Sequence, residues 1–157
     1  MAKSFISILG ASDYLECRHK FNEIITETPV KYSQEDIAKL ICKDFGPEDE
    51  IRIFLTEKAK EKNWENDSHG KPNKGLKKRL NELNLKCKIK IYIIKEGKDE
   101  NEIWEIFETI YNSFTDNEIV YVDITHSFRY LLMLLTIILN FPDIKKYKYT
   151  RDILRSI

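Results

Sequence analysis

The feature that most constrains this chain is an alternation of short apolar runs with helix-period stretches. Four runs stand out: 4–9 (SFISIL), 51–55 (IRIFL), 89–94 (IKIYII) and 119–124 (IVYVDI). Each has the length of a strand, and near-continuous apolar character fits strands covered on both faces, as in parallel sheets. Tyr32 to Phe45 carries Ile37, Leu40 and Ile41 at helical spacing. Ser33 stands where an N-cap belongs, with Asp36 three residues on, and Gly46-Pro47 ends the segment. Lys62 to Lys74 is polar and reads as a loop. A charged helix with Leu76, Leu80 and Leu83 follows it. Asp99 caps a helix bearing Glu102, Ile103, Ile106, Phe107, Ile110, Tyr111 and Phe114, the strongest periodic signal in the chain. An apolar helix runs from about Phe128 to Asn140 and stops at Pro142, and the alternating Lys146 to Tyr149 suits a last edge strand. Strands alternating with helices predict an α/β fold, a mostly parallel sheet with helices on both faces.

Composition excludes several functions. Lys and Arg number 26, as do Asp and Glu, so the net charge is zero. A long nucleic acid needs a basic face, whereas a small nucleotide needs only a local cluster of donors. Cys17, Cys42 and Cys87 are odd in number and far apart, which fits a reducing cytoplasm rather than a disulfide scaffold. Cys17 and His19 lack a second ligand pair, and no cysteine is given a histidine partner, so no metal site is predicted. The longest apolar stretch, Tyr130 to Phe141, is shorter than the ~20 residues of a membrane span. The chain lacks a dinucleotide G-x-G-x-x-G, a P-loop and a G-x-S-x-G elbow, and no cofactor is predicted.

Ligands of open α/β sheets bind outside the carboxyl ends of the strands. Three strand ends carry suitable residues: Gly10-Ala11-Ser12-Asp13, Thr56-Glu57-Lys58, and Asp123-Ile124-Thr125-His126-Ser127-Phe128-Arg129. The third leads into a helix, whose first N–H groups suit a phosphate. Ser127 is placed to cap that helix, and Thr125 to donate to a ligand oxygen. Arg129 in the first turn opposes the helix dipole, so it calls for an anionic partner. Two partners are open, a ligand anion or Asp123. Trp64 reads as packing beneath the polar loop, and the run Leu131 to Leu135 reads as core or a dimer interface.

Three segments in order resemble one family. ILGASDYLECRH is similar to the opening of the CARF (CRISPR-associated Rossmann fold) proteins of type III CRISPR systems. IRIFLTEKAKEKNW is similar to their second strand with its Thr-Glu-x-Ala and Asn-Trp elements. IVYVDITHSFRYLLMLLTIIL is similar to their D-[IV]-T-H-[GS]-F-R segment and the apolar helix after it. The resemblance implies a Rossmann-like domain acting as a homodimer in the cytoplasm, binding cyclic tetra- or hexa-adenylate across its two-fold axis. Gly10, Ala11 and Ser12 would approach the ligand backbone; Thr56, Glu57 and Lys58 would line its edge. Thr125, His126, Ser127 and Arg129 would hold phosphates or ribose hydroxyls. The resemblance leaves the role of Asn63 and Trp64 open.

It also implies two functions. One is a sensor module of antiviral defence. The other is a ring nuclease, in which the ribose 2′-hydroxyl attacks the adjacent phosphate without metal, Ser12 and His126 being the candidate catalytic residues. Relatives of this kind commonly continue into a HEPN ribonuclease domain with an R-x-x-x-x-H motif. Residues 1–157 are predicted to form a single CARF-like domain without it. An unrelated α/β domain, or one tied to a DNA-binding helix-turn-helix, is the remaining alternative.

Overall fold

The computed structural model describes residues 1–21, 24–67, 69–123, 125, 129–140, 148–150 and 155–156. In chain order the strands are β1 (Lys3–Leu9), β2 (His19–Phe21), β3 (Ile24–Ile25), β4 (Glu50–Leu55), β5 (Lys88–Ile93), β6 (Ile119–Asp123), β7 (Lys148–Thr150) and β8 (Arg155–Ser156). The helices are α1 (Ser33–Ile41), α2 (Glu57–Ala59), α3 (Leu76–Glu82), α4 (Glu100–Tyr111) and α5 (Arg129–Leu139). A 3-10 turn, Cys42–Asp44, extends α1, and a π-helical turn, Lys60–Glu65, extends α2.

The main sheet has the order β5-β4-β1-β6-β7, and every pairing in it is parallel. The chain moves outward from β1 through β4 to β5, then crosses back to place β6 on the other side of β1. That reversal puts a topological switch point between the carboxyl ends of β1 and β6. The register sets Ser7 of β1 opposite Asp123 of β6 and Leu9 opposite Leu55 of β4.

Alternation along each strand feeds two cores. Phe5 and Leu9 of β1 join Ile51, Ile53 and Leu55 of β4 beneath Ile37 and Ala38 of α1 and Leu76 and Leu80 of α3. Ile6 and Ile8 of β1 join Phe54 of β4 beneath Ile106 and Ile110 of α4 and Leu131, Leu135 and Ile138 of α5. Helices therefore cover both faces, as the apolar strands predict. Asp99 caps α4 by accepting from the Glu102 N–H at 2.9 Å.

The structure differs from the sequence-based expectation in three places. The stretch read as loop from Lys62 begins inside the π-helical turn, with Asn63 and Trp64 buried. Trp64 sits in the first core beside Leu76 and Leu80, and the Trp64 carbonyl lies where a Cβ on Gly75 would fall. Only glycine therefore fits at 75 in this arrangement. Ser33 does not cap α1; Tyr32 occupies the N-cap without a side-chain bond, because the Ser33 hydroxyl is turned toward the sheet. β2, β3 and β8 form a second, three-stranded sheet that no periodicity announces, since strands of two or three residues are too short to show one. β7 overlaps the edge strand expected over Lys146 to Tyr149, of which 146 and 147 lie outside the described residues.

Candidate functional site

Three adjacent strands, β4, β1 and β6, end along one edge of the sheet. They bring together Thr56-Glu57-Lys58, Gly10-Ala11-Ser12 and Thr125. His126 and Ser127 lie outside the described residues, and of Arg129 only its place as the first residue of α5 is described.

The loop after β1 is held from behind. Asn63, fully buried, donates from Nδ2 to the Gly10 carbonyl at 2.8 Å and to the Ser12 carbonyl at 2.9 Å. Its Oδ1 accepts from the Tyr32 hydroxyl at 3.4 Å. The Gly10 N–H donates to the Tyr14 hydroxyl at 2.9 Å, and the Tyr14 ring packs against Tyr32 with centroids 5.1 Å apart. In a trans peptide the carbonyl and the following N–H point in opposite directions, and no cis bond occurs among the described residues. With the carbonyls of Gly10 and Ser12 turned onto Asn63, the N–H groups of Ala11 and Asp13 face away from it. Ala11 is half-buried, and Ser12 and Asp13 are exposed. The π-helical turn that delivers Asn63 is itself a rare geometry, frequent at functional sites. Lys62 of the same turn pairs with Asp13 at 2.7 Å, and that bond holds the Asp13 carboxyl below its ordinary range.

Burial drives the Tyr14 phenol up to about 12, outweighing the opposing Gly10 N–H. A pKa raised above the ordinary 10 stabilises the fold fully below pH 10. The contribution is lost as pH rises to 12. Wild type is expected to lose about 2–3 kcal/mol more than Tyr14→Phe between pH 10 and 12. Denaturant titrations of both proteins across that window check this, and parallel curves would refute it.

Beneath the switch point lies a buried polar network. Gln34 of α1 donates from Nε2 to the Ser7 hydroxyl at 3.0 Å and to the Ile8 carbonyl at 3.3 Å. Ser7 passes its proton to Asp123 Oδ2 at 2.8 Å, and the Ser33 hydroxyl reaches the same oxygen at 3.3 Å. Asp123 Oδ1 accepts from the Thr125 N–H at 2.9 Å and the Thr125 hydroxyl at 2.6 Å. Four donors thus meet the roughly four lone-pair sites of a carboxylate. Asp123 closes the turn after β6, as the sequence allows. Its pairing with Arg129, which the sequence leaves open, involves a side chain outside the described residues. The Thr125 hydroxyl, read from the sequence as a donor to a ligand oxygen, donates here to Asp123 Oδ1.

Thr56 caps α2, accepting from the Ala59 N–H at 3.2 Å, and leaves Glu57 and Lys58 exposed in the first turn. Asn63, Ser7, Ser33 and Gln34 support the site, and the sequence alone assigns them no role in it. The detectable signal is polar side chains inside otherwise apolar segments, such as Ser7 in FISIL.

A cysteine does find a histidine partner, contrary to expectation. Cys17 Sγ lies 3.4 Å from His19 Nε2, while His19 Nδ1 lies 2.8 Å from Asp36 Oδ2. Burial, and secondarily Asp36, push the Cys17 thiol up. Among the described residues no group of three His, Cys, Asp or Glu side chains is placed to hold a metal, and no helix is long and apolar enough to cross a membrane.

Comparison with known proteins adds to this geometry. The family model for the CARF domain of the CRISPR system endoribonuclease Csx1 matches residues 4–154. The CRISPR-associated protein MJ1674 of Methanocaldococcus jannaschii is 29% identical over 137 residues, covering 78% of this chain and 21% of that protein. The chain therefore spans about a fifth of that relative's length. CARF domains as a class sense cyclic oligoadenylate-type ligands in type III CRISPR signalling. A Rossmann-like sheet of this order, polar strand ends gathered at its switch point, and a family match over nearly the whole length agree: the chain belongs to the CARF domain family of the CRISPR endoribonuclease Csx1.

Proposed function

We propose that this domain binds a cyclic oligoadenylate ring, of four or six adenylates, as a cytoplasmic homodimer that senses the signal. The observation that carries the reading is the clamped loop after β1. Asn63 turns the N–H groups of Ala11 and Asp13 away from the protein body, and paired backbone donors suit a phosphate oxygen. Gly10 and Ser12 complete that loop. Thr56, Glu57 and Lys58 flank it on the β4 side. Thr125, His126, Ser127 and Arg129 complete it on the β6 side, with Arg129 supplying the cation. Helix α5 supports the dimer, since Met133 and Ile137 are exposed one turn apart on an otherwise apolar helix.

The test is calorimetric titration with cyclic tetra-adenylate and cyclic hexa-adenylate in EDTA, followed by separation of intact and linear ligand. One ring per two chains is expected. Arg129→Ala and His126→Ala should each weaken binding at least tenfold without unfolding the domain, the loss of one charge-assisted contact being about 1.5–3 kcal/mol. Linear product ending in a 2′,3′-cyclic phosphate, lost on Ser12→Ala or His126→Ala, would make the domain a ring nuclease instead. Failure to bind either ring would overturn the reading.

A further inference from the structure

We propose that Cys17, His19 and Asp36 form a base-assisted thiol site, at which Cys17 undergoes two-electron oxidation by a small hydroperoxide. None of the three belongs to the ligand edge, so the inference stands apart from the ligand reading. The local backbone assembles them. Cys17 exchanges both of its backbone hydrogen bonds with Val30, each at 3.0 Å. His19 opens β2, its N–H donating to Thr26 Oγ1 at 2.9 Å and its carbonyl accepting from the Thr26 N–H at 3.0 Å. Residues two apart on an extended chain share a face. Both side chains therefore turn the same way, and Asp36 meets His19 from the first turn of α1.

The proton positions follow from the chemistry of the three groups. A carboxylate has only lone pairs, so the 2.8 Å contact with Asp36 Oδ2 puts a proton on His19 Nδ1. In a neutral imidazole the other nitrogen, Nε2, then carries a lone pair, and Cys17 Sγ lies 3.4 Å from it. The thiol donates to Nε2. Nucleophile, base and the group that orients the base thus stand in sequence, each within hydrogen-bond reach of the next. Burial keeps the thiol protonated at rest, which is the starting state of any nucleophile whose proton is taken during attack. His19 and Asp36 are each 2% exposed, while Cys17 is half-buried, so of the three it is Cys17 that a reagent reaches.

The base selects the electrophile. Attack on hydrogen peroxide forms an S–O bond and breaks the O–O bond. The thiol proton passes to His19 Nε2 and from there to the departing hydroxide, leaving a sulfenic acid and water. Sulfur loses two electrons and the peroxide gains them. A leaving group that needs a proton benefits from the imidazolium, whereas the halide of an alkylating agent does not. Cys42 and Cys87 are buried in the first core, so the sulfenic acid is reduced by a thiol from solution.

The test follows oxidation of Cys17 by hydrogen peroxide in the full chain, trapping sulfenic acid with dimedone and reading each cysteine by mass spectrometry. The reference is the same chain unfolded in urea, where Cys17 is an ordinary thiol with neither partner. Folded Cys17 should react about tenfold faster than unfolded or more, since a general base contributes about 10²–10⁴-fold and burial returns part of it. Burial without the base predicts the opposite order, and a folded Cys17 no faster than the unfolded one would overturn the proposal. His19→Asn keeps a donor for Asp36 but removes Nε2, and should slow oxidation about a hundredfold; an unchanged rate would overturn the proposal too. Asp36→Asn tests the positioning residue. An amide there donates to Nδ1 and leaves the proton on Nε2, so the rate should fall although His19 remains. Nitrogen NMR of the His19 ring should show that change of tautomer, which lost packing alone does not produce. An Asp36→Asn protein that keeps both tautomer and rate would sink the triad. Should the variants fail to fold, the comparison of folded with unfolded wild type decides alone.

Discussion

Asn63→Asp is expected to cost at least tenfold in ring affinity and about 2–4 kcal/mol in stability. The Asn63 side chain gives both its N–H groups to carbonyls, those of Gly10 and Ser12, at 2.8 and 2.9 Å. An aspartate there presents only acceptors to two acceptors, inside a fully buried setting. Each carbonyl loses its partner at about 1–3 kcal/mol, and the added charge is met only by the Tyr32 hydroxyl. The loop relieves the repulsion by rotating its peptides, which turns the Ala11 and Asp13 N–H groups off their outward course. Asn63→Ala removes the two bonds without adding charge, so it should destabilise comparably or less and still lose affinity. Thermal unfolding and ring titration on both variants check this. A spectroscopic readout separates loop geometry from general stability: the Ala11 and Asp13 amide resonances should shift in Asn63→Asp while those of β5 stay in place. An Asn63→Asp protein as stable as wild type, with unchanged affinity, would mean that the amide does not set the loop.

This dependence separates what is legible in the sequence from what is not. The strands expected at 4–9, 51–55, 89–94 and 119–124 lie within one residue of β1, β4, β5 and β6. A parallel strand covered on both faces leaves a short continuous apolar run, a pattern that a strand with one wet face does not produce. The ends of those strands are legible for the same reason, because the switch-point rule turns strand order into an edge. The support behind the edge is hidden. Asn63 acts on carbonyls 53 and 51 residues away, and no local pattern encodes such a distance. Ser33 carries the signature of a helix cap but spends its hydroxyl on Asp123, because burial under the sheet offers a charged acceptor that the helix end does not. Thr125 reads in the sequence as a donor to a ligand, and only the fold brings Asp123 beside it as an acceptor of its proton.

At the opposite, amino-terminal end of the sheet the expected effect is on stability alone. Arg52 of β4 reaches across β1 to Glu118, just before β6, with both terminal nitrogens 3.0 Å from the two carboxylate oxygens. Its Nε donates to Glu50 at 2.9 Å, and Glu118 also accepts the Thr115 N–H at 2.9 Å. Both side chains are nearly inaccessible, at 4% and 1% exposure, so truncating one strands the other's charge away from water. Arg52→Ala or Glu118→Ala should therefore cost about 3–5 kcal/mol, which for a domain of this length lowers the melting temperature by roughly 10 °C. Replacing the pair together, as Arg52→Met with Glu118→Leu, removes the stranded charge. The double variant should recover much of the loss relative to either single alanine. Because the pair is remote from Gly10, Thr56 and Thr125, the folded fraction of each variant should bind the ring as wild type does. Chemical denaturation and ring titration on the same samples separate the two effects. A single alanine variant within about 1 kcal/mol of wild type would show that the pair is not held out of water as its burial indicates.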